Sequence, residues 1–197
     1  NACPDGYIQV PANAGLSVSA FCVMKYEAKA WNDLDSDGVL DSGEEDADGC
    51  NESGCTTANW GLATYKPGSG VYGHPWRRIS QTNAWSECDS LNTESGRTNI
   101  DNDTNTDGTY ALVSNPEWMT IARNVENVAA NWTDGSVGSG CLLRGNVGGT
   151  NACTGGDSGY NGSDPDSGAS RSDNGTASLT LDNGEEIWDF SGNVWEG

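Results

Sequence analysis

The chain of 197 residues is long enough for one domain with a hydrophobic core, and none of its apolar runs approaches the length of a membrane span. Its 29 Asp and Glu residues against 9 Lys and Arg give a net charge of −20, which disfavours nucleic acid and anionic lipid as partners because both are negatively charged. An apolar share of 35% with 27 Gly residues predicts many loops, whereas 8 Trp residues argue against disorder.

Two short strands are predicted near the N-terminus, Tyr7 to Val10 and Phe21 to Tyr26, with a loop rich in Pro, Asn and Gly between them. Cys3 and Cys22 bracket this hairpin. Seven cysteines in so polar a chain indicate an oxidising compartment, and hence a secreted or cell-surface protein.

Proximity along the chain predicts three disulfides and leaves Cys88 as a buried thiol on the first helix, or as a cysteine whose partner would lie beyond Gly197. The predicted pairs are Cys3 with Cys22, Cys50 with Cys55, and Cys141 with Cys153. A zinc site is disfavoured, because His74 is the only histidine and no Cys-x-x-Cys motif occurs.

An acidic insertion at about residues 32–58 contains a complete match to the twelve-residue calcium loop. Gly38 allows the sharp turn that brings the ligands together, and Val39 offers its carbonyl oxygen. The remaining ligands are carboxylates, of which Asp41 can act through a water molecule. These carboxylates are Asp33, Asp35, Asp37, Asp41 and Glu44. Flanking helices of the kind found in calcium sensors are not evident in the sequence, so we expect a static stabilising site rather than a switch. The alternative is an acidic loop that binds no metal.

A weaker relative of this loop supplies Asp103, Asn105 and Asp107, but Ser114 stands where the closing carboxylate should be. A solvated turn explains this run as well as a metal site does.

Two helices are predicted. The first begins at Ser80 and places four residues on one face at helical spacing: Ala84, Trp85, Cys88 and Leu91. The second runs from Ser114 to about Ala130, and Ser114-Asn115-Pro116-Glu117 fits a capping box. Its apolar face consists of Trp118, Ile121, Ala122, Val125 and Val128.

A stretch rich in Gly, Ser, Asn and Asp runs from 133 to 176. Loops of this length are normally functional, stabilised by metal or cross-linked by disulfides. Strands at Leu179 to Leu181 and Glu186 to Phe190 then flank Asp182-Asn183-Gly184, which favours a hairpin. The aromatic segment from Ile187 to Gly197 reads as the middle of a core, so we expect the C-terminal part of the fold to be absent from this chain. Five sequons hint at glycosylation, although a chain of this composition also produces them by chance: Asn51, Asn102, Asn131, Asn161 and Asn174.

Three blocks of sequence occur together: Phe21 to Glu27, Glu117-Trp118 with Ala122-Arg123, and Gly192-Asn193-Val194-Trp195-Glu196. They resemble the domain of the formylglycine-generating enzyme, also called the sulfatase-modifying-factor domain. The resemblance implies a single α+β domain over 1–197 with a C-type-lectin-like fold, two helices, short strands, and long loops stabilised by calcium and disulfides. The chain departs from the family at Ala111-Leu112-Val113-Ser114, where Arg-Leu-Pro-Thr is usual, and at Gly197, where Trp is usual.

The resemblance also implies a calcium site in the C-terminal turn, with side-chain ligands from Asp189 and Glu196 and carbonyl ligands from Gly192 and Val194. The residue chemistry agrees, because two carboxylates around a glycine turn can converge on one hard cation. The alternative is a carboxylate that accepts hydrogen bonds from backbone amides. The family's catalytic cysteines lie downstream of this turn, so no residue of this chain corresponds to them and we expect no enzyme activity.

Three functions are compatible with these observations. The favoured one is an extracellular, non-enzymatic, calcium-stabilised structural or adhesive domain, able to self-associate as a subunit of a cell-surface or filamentous assembly. The second is a lectin-like module that binds glycan or a cell-surface protein, with Trp60 or Trp76 stacking on sugars. The third is a copper-dependent oxidase of the formylglycine-generating type whose catalytic segment is missing from this chain.

Overall fold

The computed structural model describes residues 3–4, 6–31, 66–70, 76, 79–93, 110–142 and 178–190. Within these ranges the chain is a small α+β fold with two helices and three two-stranded antiparallel sheets, which confirms the coarse fold class predicted from the sequence. The elements are β1 (Tyr7–Val10), β2 (Phe21–Met24), β3 (Lys29–Trp31), β4 (Lys66–Gly68), α1 (Gln81–Ser90), α2 (Asn115–Glu126), β5 (Ser178–Thr180) and β6 (Glu186–Trp188). The whole of the predicted acidic insertion, at about residues 32–58, lies outside the described residues.

The N-terminal hairpin confirms the predicted pairing of β1 with β2, in a register that places Tyr7 opposite Met24 and Val10 opposite Phe21. The second strand ends at Met24 rather than at Tyr26. The backbone amide of Tyr26 donates to the Ser69 hydroxyl at 3.2 Å, so the chain has left the β1 ladder by this point.

The first helix begins after the N-cap Ser80, whose hydroxyl accepts a hydrogen bond from the Asn83 amide. The predicted buried face is partly wrong. Leu91 is buried as expected, but the Trp85 side chain is 57% exposed and Glu87 is buried instead. The face that turns inward follows the spacing of Ala84, Glu87 and Leu91, and Trp85 lies outside it.

The second helix has the predicted capping box: Ser114 accepts from the Glu117 amide, and the Glu117 carboxylate accepts from the Ser114 amide at 2.8 Å. The helix ends at Glu126, earlier than predicted, and a 3₁₀ turn follows at Ala129–Asn131. Side chains from beyond the helix bind its last carbonyls. The Asn131 amide donates to Val125 O at 2.8 Å, and the Trp132 indole donates to Glu126 O at 2.9 Å. These bonds turn the chain back over the helix end.

The C-terminal hairpin pairs β5 with β6 around the predicted Asp182-Asn183-Gly184 turn. The Gly184 amide donates to Leu181 O at 2.9 Å, and Gly184 takes a φ of +86°, so glycine fills the left-handed position of a type I turn with a bulge. The main core joins β1, α2, β5 and β6, and its buried members are Ile8, Val10, Ile121, Val125, Leu179, Leu181 and Ile187.

Candidate functional site

Asp189 is the one residue of the predicted C-terminal calcium site that lies within the described ranges. It follows β6 directly, its side chain is only 4% exposed, and its backbone takes a left-handed φ of 52°. Asp is among the few residues other than glycine that adopt this conformation with some frequency. The chain therefore turns sharply at a buried carboxylate.

The two neighbours of Asp189 hold this turn in place. The backbone amide of Trp188 donates to Lys25 O at 2.9 Å, and its ring lies 6.0 Å from that of Tyr26. On the other side, the ring of Phe190 stacks on Trp118 of α2. Asp189 is thus fixed between the segment after β2 and the second helix, so its carboxylate has little freedom to move.

A buried carboxylate is costly unless charge or hydrogen bonds compensate it, and calcium is a hard cation that takes oxygen ligands. The chemistry of Asp189 fits a calcium ligand. Within the described ranges no three His, Cys, Asp or Glu side chains converge as a metal site would require. A calcium ion at Asp189 would need further oxygen ligands, and the sequence predicts these beyond Phe190.

The remaining predicted ligands lie outside the described residues, and their assignments stay predictions. In the C-terminal turn these are Gly192, Val194 and Glu196. In the acidic insertion they are Asp33, Asp35, Asp37, Val39, Asp41 and Glu44, and in the weaker run Asp103, Asn105 and Asp107.

The cysteines follow the prediction as far as the described residues reach. Cys3 and Cys22 form a disulfide with a Cα–Cα distance of 5.7 Å, which ties the N-terminus to β2. Cys141 is also disulfide-bonded, to a cysteine outside the described residues. Cys50, Cys55 and Cys153 lie outside the described residues, so the pairs Cys50–Cys55 and Cys141–Cys153 stay predictions. Cys88 is a thiol. Its pKa is raised to about 11, first by burial and then by the nearby charge of Glu87.

The sequon at Asn131 is not available for glycosylation in the folded chain. Its side chain is 2% exposed, and its amide nitrogen donates to Val125 O and, at 2.7 Å, to Thr180 O. Its amide oxygen accepts from the Thr180 backbone at 2.9 Å. The hint of glycosylation is therefore wrong at this position; the other four sequons lie outside the described residues.

Trp76, one of the two tryptophans considered for sugar stacking, is half-buried and its indole nitrogen is shielded from solvent. The backbone amide of Trp76 donates to Ala28 O at 2.8 Å, which holds Trp76 beside the start of β3. Trp60 lies outside the described residues. Trp85 is more exposed than Trp76, although the sequence pattern predicts that Trp85 is buried.

Two buried charged residues were missed from the sequence, Lys29 and Glu87, which are 1% and 6% exposed. Burial raises the pKa of Glu87, and the positive charge of Lys66 opposes that rise. Glu87 could have been found by extending the helical spacing from Ala84, since it falls on the face assigned to the core. For Lys29 the sequence offers no comparable signal.

Among the described residues, no helix is both long enough and apolar enough to cross a membrane. No family model, curated protein or solved structure matches the chain.

Proposed function

We propose that the chain is an extracellular, non-enzymatic domain of C-type-lectin-like fold, stabilised by calcium, with a structural or adhesive role. The observation that carries this proposal is the complete calcium-loop pattern from Asp33 to Glu44. The buried carboxylate of Asp189, held in a rigid turn, supports a second calcium in the C-terminal segment.

Calcium suits the electrostatics of this chain. With a net charge of −20, the folded state suffers repulsion among its carboxylates, and a divalent cation at a site where several of them converge relieves it. Calcium that binds the folded state and not the unfolded state then adds to stability by mass action. A long acidic loop with few apolar residues gains a fixed shape in this way.

The disulfides support the extracellular assignment. The Cys3–Cys22 bond and the bonded state of Cys141 require an oxidising compartment to persist. Disulfides and calcium stabilise chains whose loops contribute little to a hydrophobic core. Structural and adhesive domains outside the cell use both devices.

Calorimetric titration of calcium into chelator-treated protein tests the proposal. We expect uptake by the native chain and loss of one binding event in the double variant Asp35→Ala/Glu44→Ala. A matched control, Asp182→Ala/Glu185→Ala, removes two exposed carboxylates from the β5–β6 turn and should leave the stoichiometry unchanged. If the first double variant binds as much calcium as the native chain, the loop assignment is wrong.

The structural role is tested by sedimentation and electron microscopy of the native chain with calcium and with chelator. Self-association that requires calcium would support a subunit of an assembly. A sharp monomer in both conditions would argue against self-association and leave adhesion to another molecule as the role to test.

A further inference from the structure

The inward face of α1 carries an acidic side chain where an apolar one is usual. Glu87 is 6% exposed and lies on the same face as the buried Leu91. The helix packs against β4, so the carboxylate is enclosed at the contact between a helix and a hairpin. Glu87 has no place in the proposed calcium sites.

The hairpin opposite this face bears two lysines. In the β3–β4 register Lys29 pairs with Gly68 and Trp31 with Lys66. Paired residues of an antiparallel ladder share a face, and residues two apart along a strand share it too, so Lys29 and Lys66 lie on one face of the hairpin. Lys66 acts on Glu87 electrostatically, and Lys29 is itself buried.

Two effects act on the Glu87 carboxylate in opposite directions. Enclosure removes water from the ionised form and disfavours it, whereas a neighbouring ammonium group favours it. The first effect dominates here, because the pKa of Glu87 is raised despite Lys66. The neutral carboxylic acid is therefore the form that the contact between α1 and the hairpin accommodates better.

We propose that Glu87 makes the packing of α1 on the β3–β4 hairpin pH-sensitive, so that the helix is held more firmly in mild acid than at neutral pH. The sign follows from linkage. A carboxylate whose pKa is raised on folding contributes stability below its unfolded pKa, and that contribution is lost as the pH rises through the folded pKa. The described titratable groups around Glu87 are Lys66 on β4, which acts on it electrostatically, and its neighbours Cys88 and the exposed Asp89 on α1. Lys29 on β3 lies on the same face of the β3–β4 ladder as Lys66.

Hydrogen exchange of the full chain tests this proposal. The protection of α1 amides, corrected for intrinsic exchange and divided by that of α2 amides, should fall several-fold as the pH is raised above about 4.3, the ordinary pKa of a glutamate side chain. In Glu87→Gln the ratio should be high and independent of pH. The matched control Asp89→Asn alters an exposed acid on the same helix and should keep the native pH dependence.

A second variant keeps the proposal testable if Glu87→Gln does not fold. Lys66→Gln removes the positive charge that favours the ionised carboxylate, so α1 protection in acid should stay the same, and its fall with rising pH should be larger and extend to higher pH. A native α1 ratio that does not change with pH would overturn the proposal. So would a pH dependence that persists in Glu87→Gln, or one that is unaltered in Lys66→Gln.

Discussion

The indole of Trp118 stacks on the ring of Phe190, with the ring centroids 5.1 Å apart and the planes inclined by 23°. This contact joins the first half of α2 to the residue that follows Asp189. It is made at the surface, since the Trp118 side chain is 40% exposed. Because Phe190 comes two residues after β6 ends, the stack holds the end of the C-terminal hairpin against α2.

Replacing Trp118 with Ala should lower the free energy of unfolding by roughly 1–3 kcal/mol, because both the ring pair and its half-buried surface are lost. Chemical denaturation measures the change. Trp85→Ala is the matched control, since that ring also stands on a helix but is 57% exposed, and it should change stability little. Equal losses in the two variants would show that the stack contributes nothing specific.

Asn131 joins the end of α2 to β5 through its side chain. Its amide nitrogen bonds Val125 O and Thr180 O, and its amide oxygen accepts from the Thr180 amide. In Asn131→Ala these buried backbone groups lose their partners, at a cost on the order of 1–3 kcal/mol for each group left unsatisfied. Thermal unfolding should therefore shift markedly downward.

Asn127 supplies the control for this experiment. Its side chain is exposed, and its contact with the Asp182 carboxylate is long, at 3.5 Å. Asn127→Ala should be close to native in stability. If Asn131→Ala unfolds at the same temperature as Asn127→Ala, the side-chain clamp between α2 and β5 is not a stabilising feature.

Local sequence signals predicted the elements whose causes are local. The capping box at Ser114, the glycine turn at Gly184 and the short strand from Tyr7 to Val10 each depend on a few neighbouring residues, and each is found where it was expected. The end of α2 was missed because it depends on Asn131 and Trp132, which bond the helix from outside it. A periodic apolar pattern carries no information about such bonds.

The first helix shows the limit of hydrophobic spacing. The sequence pattern placed Trp85 on the buried face, where the structure exposes it, and did not identify Glu87 as buried. The helix packs on strands that bear lysines, and the pattern takes no account of what lies opposite a helix. For the candidate site, the sequence predicted Asp189 as a calcium ligand within a last strand from Glu186 to Phe190, whereas the strand ends at Trp188 and the chain turns at Asp189. Its burial and its left-handed backbone depend on anchors at Lys25 and Trp118, which are distant in sequence.

Cys88 should react slowly with iodoacetamide in the native chain. Its pKa is raised to about 11, so at pH 8 only about a thousandth of the thiol is ionised, and the thiolate is the reactive form. The alkylation rate should rise with pH well beyond the range in which an ordinary cysteine levels off. Mass spectrometry of quenched samples gives the rate.

Two comparisons sharpen this prediction. In denaturant Cys88 should react as an ordinary thiol, and in Glu87→Gln the native rate near neutral pH should increase, because the neighbouring negative charge that raises the pKa is gone. Native labelling as fast as labelling in denaturant would contradict the prediction. Peptide mapping without reduction would show in addition whether Cys88 is a thiol in the mature protein.

The buried carboxylate of Asp189 provides the sharpest test of the second calcium. Asparagine has nearly the same size and also adopts left-handed backbone conformations, so Asp189→Asn changes mainly the charge. If calcium binds there, the variant should lose much of the stabilisation that the ion supplies, which is about 2.7 kcal/mol for a site at a hundredfold excess over its dissociation constant.

The expected result is a lower Tm than native in calcium and a smaller difference in chelator, where removing a buried charge offsets part of what the lost oxygen ligand costs. Asp182→Asn is the matched control, because it neutralises an exposed carboxylate in the turn of the same hairpin and should respond to calcium as the native chain does. Scanning calorimetry of the three proteins in both conditions decides the matter. An equal loss of Tm in calcium and in chelator would assign Asp189 a role in the turn itself, with hydrogen bonds rather than calcium as the partners of its carboxylate.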